Sequence, residues 1–306
     1  MTSLREVVPA ALAGERVDRA VSLLTELSRT TASELVASGA VRVGGRTVGR
    51  SHRLAEGDVL EVDLPGAAQP PQPDPGVVVE VVHEDQWLAV IDKPAGLVVH
   101  PGAGNRSGTL VNGLLARYPD LARVGEPDRP GVVHRLDKGT SGLLVVALRP
   151  EAHQALVAMM AERRVDRRYL SLVAGRVEAP EGVIDAPIGR SARQPTRMAV
   201  SGSGRSARTR YRVLERLDGP PPRTLLECRL ETGRTHQIRV HLAAIGHPVV
   251  GDDRYGSRSH SAGERPFLHA HQLGLVHPST GAAMSWTSPL PPDLQAALDA
   301  SRSSRG

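Results

Sequence analysis

The chain of 306 residues has one cysteine, one phenylalanine and only two lysines. A lone Cys228 excludes an internal disulfide framework and a cysteine-based zinc cluster. Phe, Trp and Tyr number seven in all, too few for the serial base stacking of RRM and single-strand RNA binders. The longest apolar stretches, such as residues 142–148, fall far short of the roughly 20 residues that span a bilayer. The opening MTSLREVV carries an early Glu6 and no long apolar run, so a cytoplasmic protein without a membrane partner is expected. Phosphate-loop, dinucleotide-loop, nucleophile-elbow and HExxH motifs are all missing. His236 and His241 stand five apart, a spacing that points them away from a common metal on a helix. No metal and no cofactor are expected.

Arginine is what the chain has in abundance: it supplies all but Lys93 and Lys138 of the 38 basic residues. The net charge of +5 is uneven, because residues 1–65 carry −1 and the remainder +6. Arg190, Arg193, Arg197, Arg205, Arg208, Arg210, Arg212 and Arg216 are accompanied in their segment by a single acidic residue, Glu215. That density predicts a polyanionic partner, and phosphate backbone is the natural one. With 40% apolar and 23% charged residues the chain reads as globular.

Five prolines in residues 65–76 mark a semi-rigid linker. Before it, residues 1–64 read as a small α+β module. Val17, Ala20, Val21, Leu24 and Leu27 recur at helical spacing, a second helix starts near Ser28 or Thr30 and stops at Gly39, a hairpin turns at Gly44 and Gly45, and VLEVDL closes as a strand. Residues 77–298 read as a larger domain of six Val- and Leu-rich strands, with helices over 109–118, 150–163 and 236–245. Without regular βαβ alternation, the expected class is α+β with a mostly antiparallel mixed sheet. Residues 299–306 read as a disordered tail.

Three polar segments interrupt the apolar strands. In GVVHRLDKGTSGLLVVA, Asp137 is read as following a strand, flanked by His134 and Arg135 on one side and Lys138 on the other. Cationic, hydrogen-bonding surroundings favour the charged, nucleophilic form of a carboxylate. By spacing alone the same residues also fit an ordinary Asp turn in a hairpin. In the second segment Arg239 lies beside a core-facing stripe of Ile238, Leu242 and Ile245, and needs an anionic partner there. In RRYLSLV, Tyr169 sits in a strand, where packing and chemistry are both open.

Together, DKPAGLVVHPGAGN (92–105), HRLDKGTSGLLVVA (134–147), RRYLSLV (167–173) and TGRTHQIRVHLAAIGHPVVGD (232–252) resemble the successive motifs of the RluA family of pseudouridine synthases. Residues 14–48 resemble the S4 RNA-binding domain that precedes the catalytic domain in many members. The resemblance implies an isomerase that converts uridine in structured RNA to pseudouridine without cofactor or metal. Its expected partner is ribosomal large-subunit RNA, with the helix 69 stem-loop of 23S rRNA as target, and a monomer is expected. It assigns Asp137 as the catalytic carboxylate, Arg239 as its partner and Tyr169 as the active-site tyrosine. Arg135 would fill the gap left by the flipped base. RNA contacts are expected from His134, Lys138, Arg234, Lys93, Arg42, Arg46, Arg193 and Arg197. The survival of Lys93 and Lys138 in an arginine-dominated chain points to sites that need a compact ammonium. Two rivals remain at this level: a non-catalytic RNA-binding or ribosome-assembly factor on the same fold, and an N-glycosidic hydrolase, which would want a second positioned carboxylate.

Overall fold

In a computed structural model, the structure describes residues 2–25, 27, 29–64, 70–102, 105–256 and 265–303. The chain divides into two compact units, Met1–Gln69 and Pro70–Gly306. In the first, β1 (Thr2–Val7), α1 (Val17–Thr25), α2 (Arg29–Ala37), β2 (Val41–Val43), β3 (Arg46–Thr47) and β4 (Val59–Leu64) form two helices and a four-stranded antiparallel sheet in the order β1-β4-β2-β3. Val17, Ala20 and Val21 of α1 are buried against Ala32, Val36, Val41, Leu60 and Val62, so the helical spacing read from the sequence is the core face. The sequence reading lacked β1, a strand of mixed polarity that completes the edge beside β4.

The second unit contains β5 (Glu80–Glu84), β6 (Leu88–Lys93), α3 (Leu110–Arg117), β7 (Ser141–Ala147), α4 (Pro150–Ala161), β8 (Asp166–Ala174) and β9 (Glu181–Asp185). It continues through β10 (Ile188–Arg190), β11 (Met198–Val200), β12 (Arg208–Leu217), β13 (Arg223–Leu230), α5 (Gln237–Ala244), β14 (Leu268–Val276), β15 (Ala283–Thr287) and α6 (Pro292–Ser303). Nine strands form one sheet in the order β5-β6-β7-β14-β8-β13-β12-β9, with β15 added to β14. Every neighbouring pair is antiparallel except β7 with β14. At that seam Gly142 has φ +108°, and a Cβ there would lie 2.3 Å from the Ala270 carbonyl oxygen. Only glycine fits. β7 is buried along its whole length, which explains its unbroken apolar run.

Three expectations need correction. The tail does not start at residue 299, because α6 runs through Ser303 with Leu294 and Leu298 in the core; residues 304–306 lie outside the described residues. The linker reading is also too long. Residues 65–69 lie outside the described residues, and residues 70–76 are docked on α3, where Asn112 donates to Gln72 O at 2.7 Å and accepts from Asp74 N–H at 2.9 Å. On α5 the three-residue stripe fails, since Ile245 is exposed while all residues from Gln237 to Leu242 are buried. The helix is enclosed by the main core on one side and by Ile188 and Ala207 around Val240 on another, which leaves Arg239 inside.

Candidate active site

The charge-rich segment at residues 188–216 folds in two ways. Its second half is β12, where period-two alternation brings Arg208, Arg210 and Arg212 beside carboxylates on β13 or just past its end. Arg210 meets Glu231 at 2.6 Å, Arg212 meets Glu227 at 3.2 Å and Arg208 lies 3.5 Å from Glu231. Arg216 donates to the carbonyls of Val177 and Glu178. Half of the cluster is therefore matched within the fold, which corrects the inference that all eight need a polyanion. The first half is the β10–β11 hairpin, where Arg190, Arg193 and Arg205 are exposed and Arg197 half-buried. Met198 and Tyr255 pack the hairpin onto Val240 of α5.

Asp137 precedes β7; between residues 131 and 136 Val132 alone makes a bridge, to Val146, so the expected strand before Asp137 is not there. Its backbone carbonyl accepts from Thr140 N–H at 3.0 Å, closing a tight turn that leads into the buried strand. Three outside contacts fix this turn. Gly96 N–H donates to Lys138 O at 2.7 Å, and Arg265 donates to Gly139 O at 3.1 Å and to Ser141 Oγ at 3.2 Å. Beneath it, the Lys93 ammonium donates to the carbonyls of Pro94 and Leu97 at 2.8 and 2.9 Å. Burial drives the Lys93 pKa down to about 7, opposed by the nearby charge of Asp137.

The Asp137 carboxylate receives Nη1 of Arg239 at 3.4 Å and lies 4.0 Å from Nε2 of His236. The main partner of Arg239 is not Asp137. Its Nε and Nη2 make a two-pronged bond to Asp252 at 2.7 and 2.8 Å, the short bidentate geometry of a strong ion pair. Asp252 is itself held by the backbone N–H groups of Arg254 and Tyr255. Burial lowers the Arg239 pKa, but the pair with Asp252, helped by Asp137, outweighs that and raises it. Tyr255 stacks its ring 5.1 Å from the Arg239 guanidinium and shares a 2.7 Å hydrogen bond with His236 Nδ1. His236 caps α5 in the left-handed region, φ +57°, a strained state for a non-glycine residue.

A cavity of about 550 Å³ opens beside Asp137, with Tyr169, Arg135, Arg234, His236 and Ile238 in its wall. Tyr169 is 4% exposed, and burial pushes its pKa up to about 12, with Arg167 opposing and Asp137 reinforcing the shift. The arrangement offers an acidic side chain at the cavity wall, a rigid cation behind it, an aromatic face and arginines at the mouth. Among the described residues no group of three His, Cys, Asp or Glu could hold a metal ion.

Residues 87–244 match the RNA pseudouridylate synthase family. An RNA pseudouridine synthase of Chloroflexus aurantiacus is 50% identical over 95% of this chain and 92% of its own length. The chain belongs to the RluA family of pseudouridine synthases. A further relative in Nitrosomonas europaea, ribosomal large subunit pseudouridine synthase D, is 45% identical over 96% of this chain and 87% of its own. Among solved structures, human RNA pseudouridylate synthase domain containing 1 aligns with TM-score 0.58 at 30% identity, covering 77% of this chain and 90% of that one. An RNA pseudouridine synthase is an isomerase, so the non-catalytic rival and the hydrolase give way.

On this synthase the predicted residues divide. Asp137, Tyr169, Arg135, His134 and Arg234 come together around the cavity, and Arg239 contacts Asp137 without itself lining it. Lys93 is 0% exposed, so the expected RNA contact there is replaced by the two carbonyls that fill its ammonium. Lys138 is exposed, and no side-chain hydrogen bond or ion pair holds it among the described residues. His134 is no cation: burial, reinforced by Arg167, lowers its pKa to about 3, and its Nε2 accepts Val145 N–H at 3.1 Å. Arg42 is engaged by Asp63 at 2.8 Å, while Arg46 is exposed; Arg193 and Arg197 lie on the β10–β11 hairpin. Sequence reasoning missed Asp252, Tyr255 and the αL His236. The pair of acids in GDDRYG was a usable signal for the first, because a buried arginine needs a carboxylate.

Proposed function

We propose that this synthase isomerises uridine in 23S ribosomal RNA, at the helix 69 stem-loop, with Asp137 as the reacting carboxylate and Tyr169 as the face on which the uracil rests. The observation that carries the catalytic part is the Asp137 carboxylate, fixed by Arg239 and facing a cavity large enough for one flipped base. Large-subunit relatives of high identity support the RNA target. Arg135 is exposed at the cavity mouth, where a planar guanidinium can stack in the vacated helix position. The exposed arginines of the β10–β11 hairpin suit the flanking phosphates. Residues 1–64 would act as an S4-like module, with Arg46, Arg50 and Arg53 as its exposed basic side. The reading places a monomer in the cytoplasm.

Tritium release from 23S rRNA transcripts labelled at uridine C5 tests this, because isomerisation leaves mass unchanged and expels the C5 hydrogen. Release by the wild type alone, with Asp137→Asn silent, is the expected result. Release by a clean Asp137→Asn preparation would remove Asp137 from its role, and release from tRNA but not from 23S rRNA or precursor particles would overturn the target.

A further inference from the structure

We infer that Arg167 is a second catalytic residue, whose guanidinium accepts the negative charge carried by the uracil ring between its detachment at N1 and its reattachment through C5. This rests on Asp137 as the reacting carboxylate. Arg167 lies on β8 in the cavity wall and is 6% exposed. Among the described residues it has no ion-pair or hydrogen-bond partner, and its Nε is buried unpaired. A buried guanidinium left unpaired is costly. Neighbours in sequence are treated otherwise: Arg168 meets Asp166 at 2.9 Å and Arg163 meets Glu231 at 3.1 Å. Carboxylates are thus at hand, and none serves Arg167. Gly233 leaves the room that the side chain occupies, since a Cβ there would sit 3.0 Å from Arg167 Nη1.

Position then selects the ligand. Arg167 and Tyr169 share one face of β8. Asp137, Tyr169 and Arg167 all line the one cavity, and Tyr169 feels the charges of both Arg167 and Asp137. A nucleotide with its C1′ at Asp137 and its ring over Tyr169 therefore directs the far edge of the ring, with its O4 carbonyl oxygen, toward Arg167. Phosphates fit the exposed arginines of the mouth, Arg129 and Arg135, and the base is the part that enters. His134, half-buried in the same wall, is neutral and does not compete.

The charge balance supports the assignment. As an Asp137 oxygen forms a bond to C1′, the C1′–N1 pair departs with the ring, which becomes a uracil anion delocalised over N1, O2 and O4. The ring turns, a C5 pair forms the new bond to C1′, and the ester pair returns to Asp137. N1 gains a proton and C5 loses one to solvent, so the product is an isomer of the substrate. Arg167 faces a neutral ring before and after, and an anion between. This is stabilisation confined to the reacting state.

Single-turnover assays of the full chain on rRNA transcripts made with uridine or with 5-fluorouridine test the role, reading loss of the N1-linked nucleoside. Fluorine at C5 stabilises the departing anion, so it substitutes for the lost cation. Arg167→Gln should slow uridine conversion about 10²-fold, with RNA affinity within about twofold of wild type. On 5-fluorouridine the same variant should lose less than about tenfold, and Arg167→Lys should recover part of the uridine rate. Equal losses on the two substrates, unchanged turnover, or loss of RNA binding in both variants would each overturn the proposal. Failure of the wild type on every RNA would instead overturn the reading of the site.

Discussion

The α5 side and the β8 side of the cavity each bury an arginine, and they treat it in opposite ways. Arg239 is bound by both oxygens of Asp252, touches Asp137 and lies against Tyr255. Arg167 is equally enclosed and has no partner among the described residues. A cation saturated by fixed neighbours cannot reorganise, so it sets the position of what it touches. One left open has its energy to give to whatever enters. On the proposed reading, the two walls separate holding the carboxylate from meeting the substrate.

The hardest blow to this division is Asp137→Asn, which keeps shape but removes the charge that Arg239 holds; tritium release should become undetectable while RNA affinity stays within about twofold. Asp252→Asn attacks the support instead. It should lower turnover about 10²-fold by freeing Arg239 to swing, and destabilise the fold by about 3–5 kcal/mol, because a buried pair is broken on one side. Thermal melting alongside the activity assay would separate the two effects, and unchanged turnover would show that Arg239 needs no anchor.

A subtler test uses pH. Lys93 titrates near 7 when folded and near 10.5 when unfolded, so between these values the unfolded chain binds more protons and stability must rise with pH. Above about 9 the trend turns, because buried Cys228 and Tyr169 hold their protons to about 12 while the unfolded chain releases them. Melting temperatures of wild type and Lys93→Met across pH 7–9 check this; in the variant the rise should shrink to the part below about pH 7.5 that His134 and the other lowered histidines supply, and an unchanged slope would assign it elsewhere. The smallest effect belongs to the hairpin. Replacing Arg193 and Arg197 with Ala should leave single-turnover rate unaltered and reduce the salt slope of RNA binding by roughly two, about one per lost phosphate contact.

Much of this was legible beforehand. Asp137, Tyr169 and Arg239 were named from motifs, and strands such as β6, β7, β8, β13 and β14 from apolar runs. The short β10, β11 and β15 gave no such runs, and β12 was hidden because its alternating arginines look like a charge cluster until cross-strand acids are placed beside them. The acids of GDDRYG offer Asp252 as a candidate, but whether Arg239 prefers it to Asp137 depends on a fold that brings the two side chains within 2.7 Å. The orphan state of Arg167 is a property of its surroundings, and no local pattern records an absent neighbour.

The seam between β7 and β14 has a consequence for the order of folding. Ser141 and His269, which face each other there, are 128 residues apart in the chain, and contacts of such long range are the slow ones to form. During synthesis Asp137, Tyr169 and Arg239 all emerge before β14 does. A growing chain therefore contains each of these side chains while lacking the strand that pairs with β7 next to the Asp137 turn, and the proposed site is complete only when the C-terminal strands close the sheet.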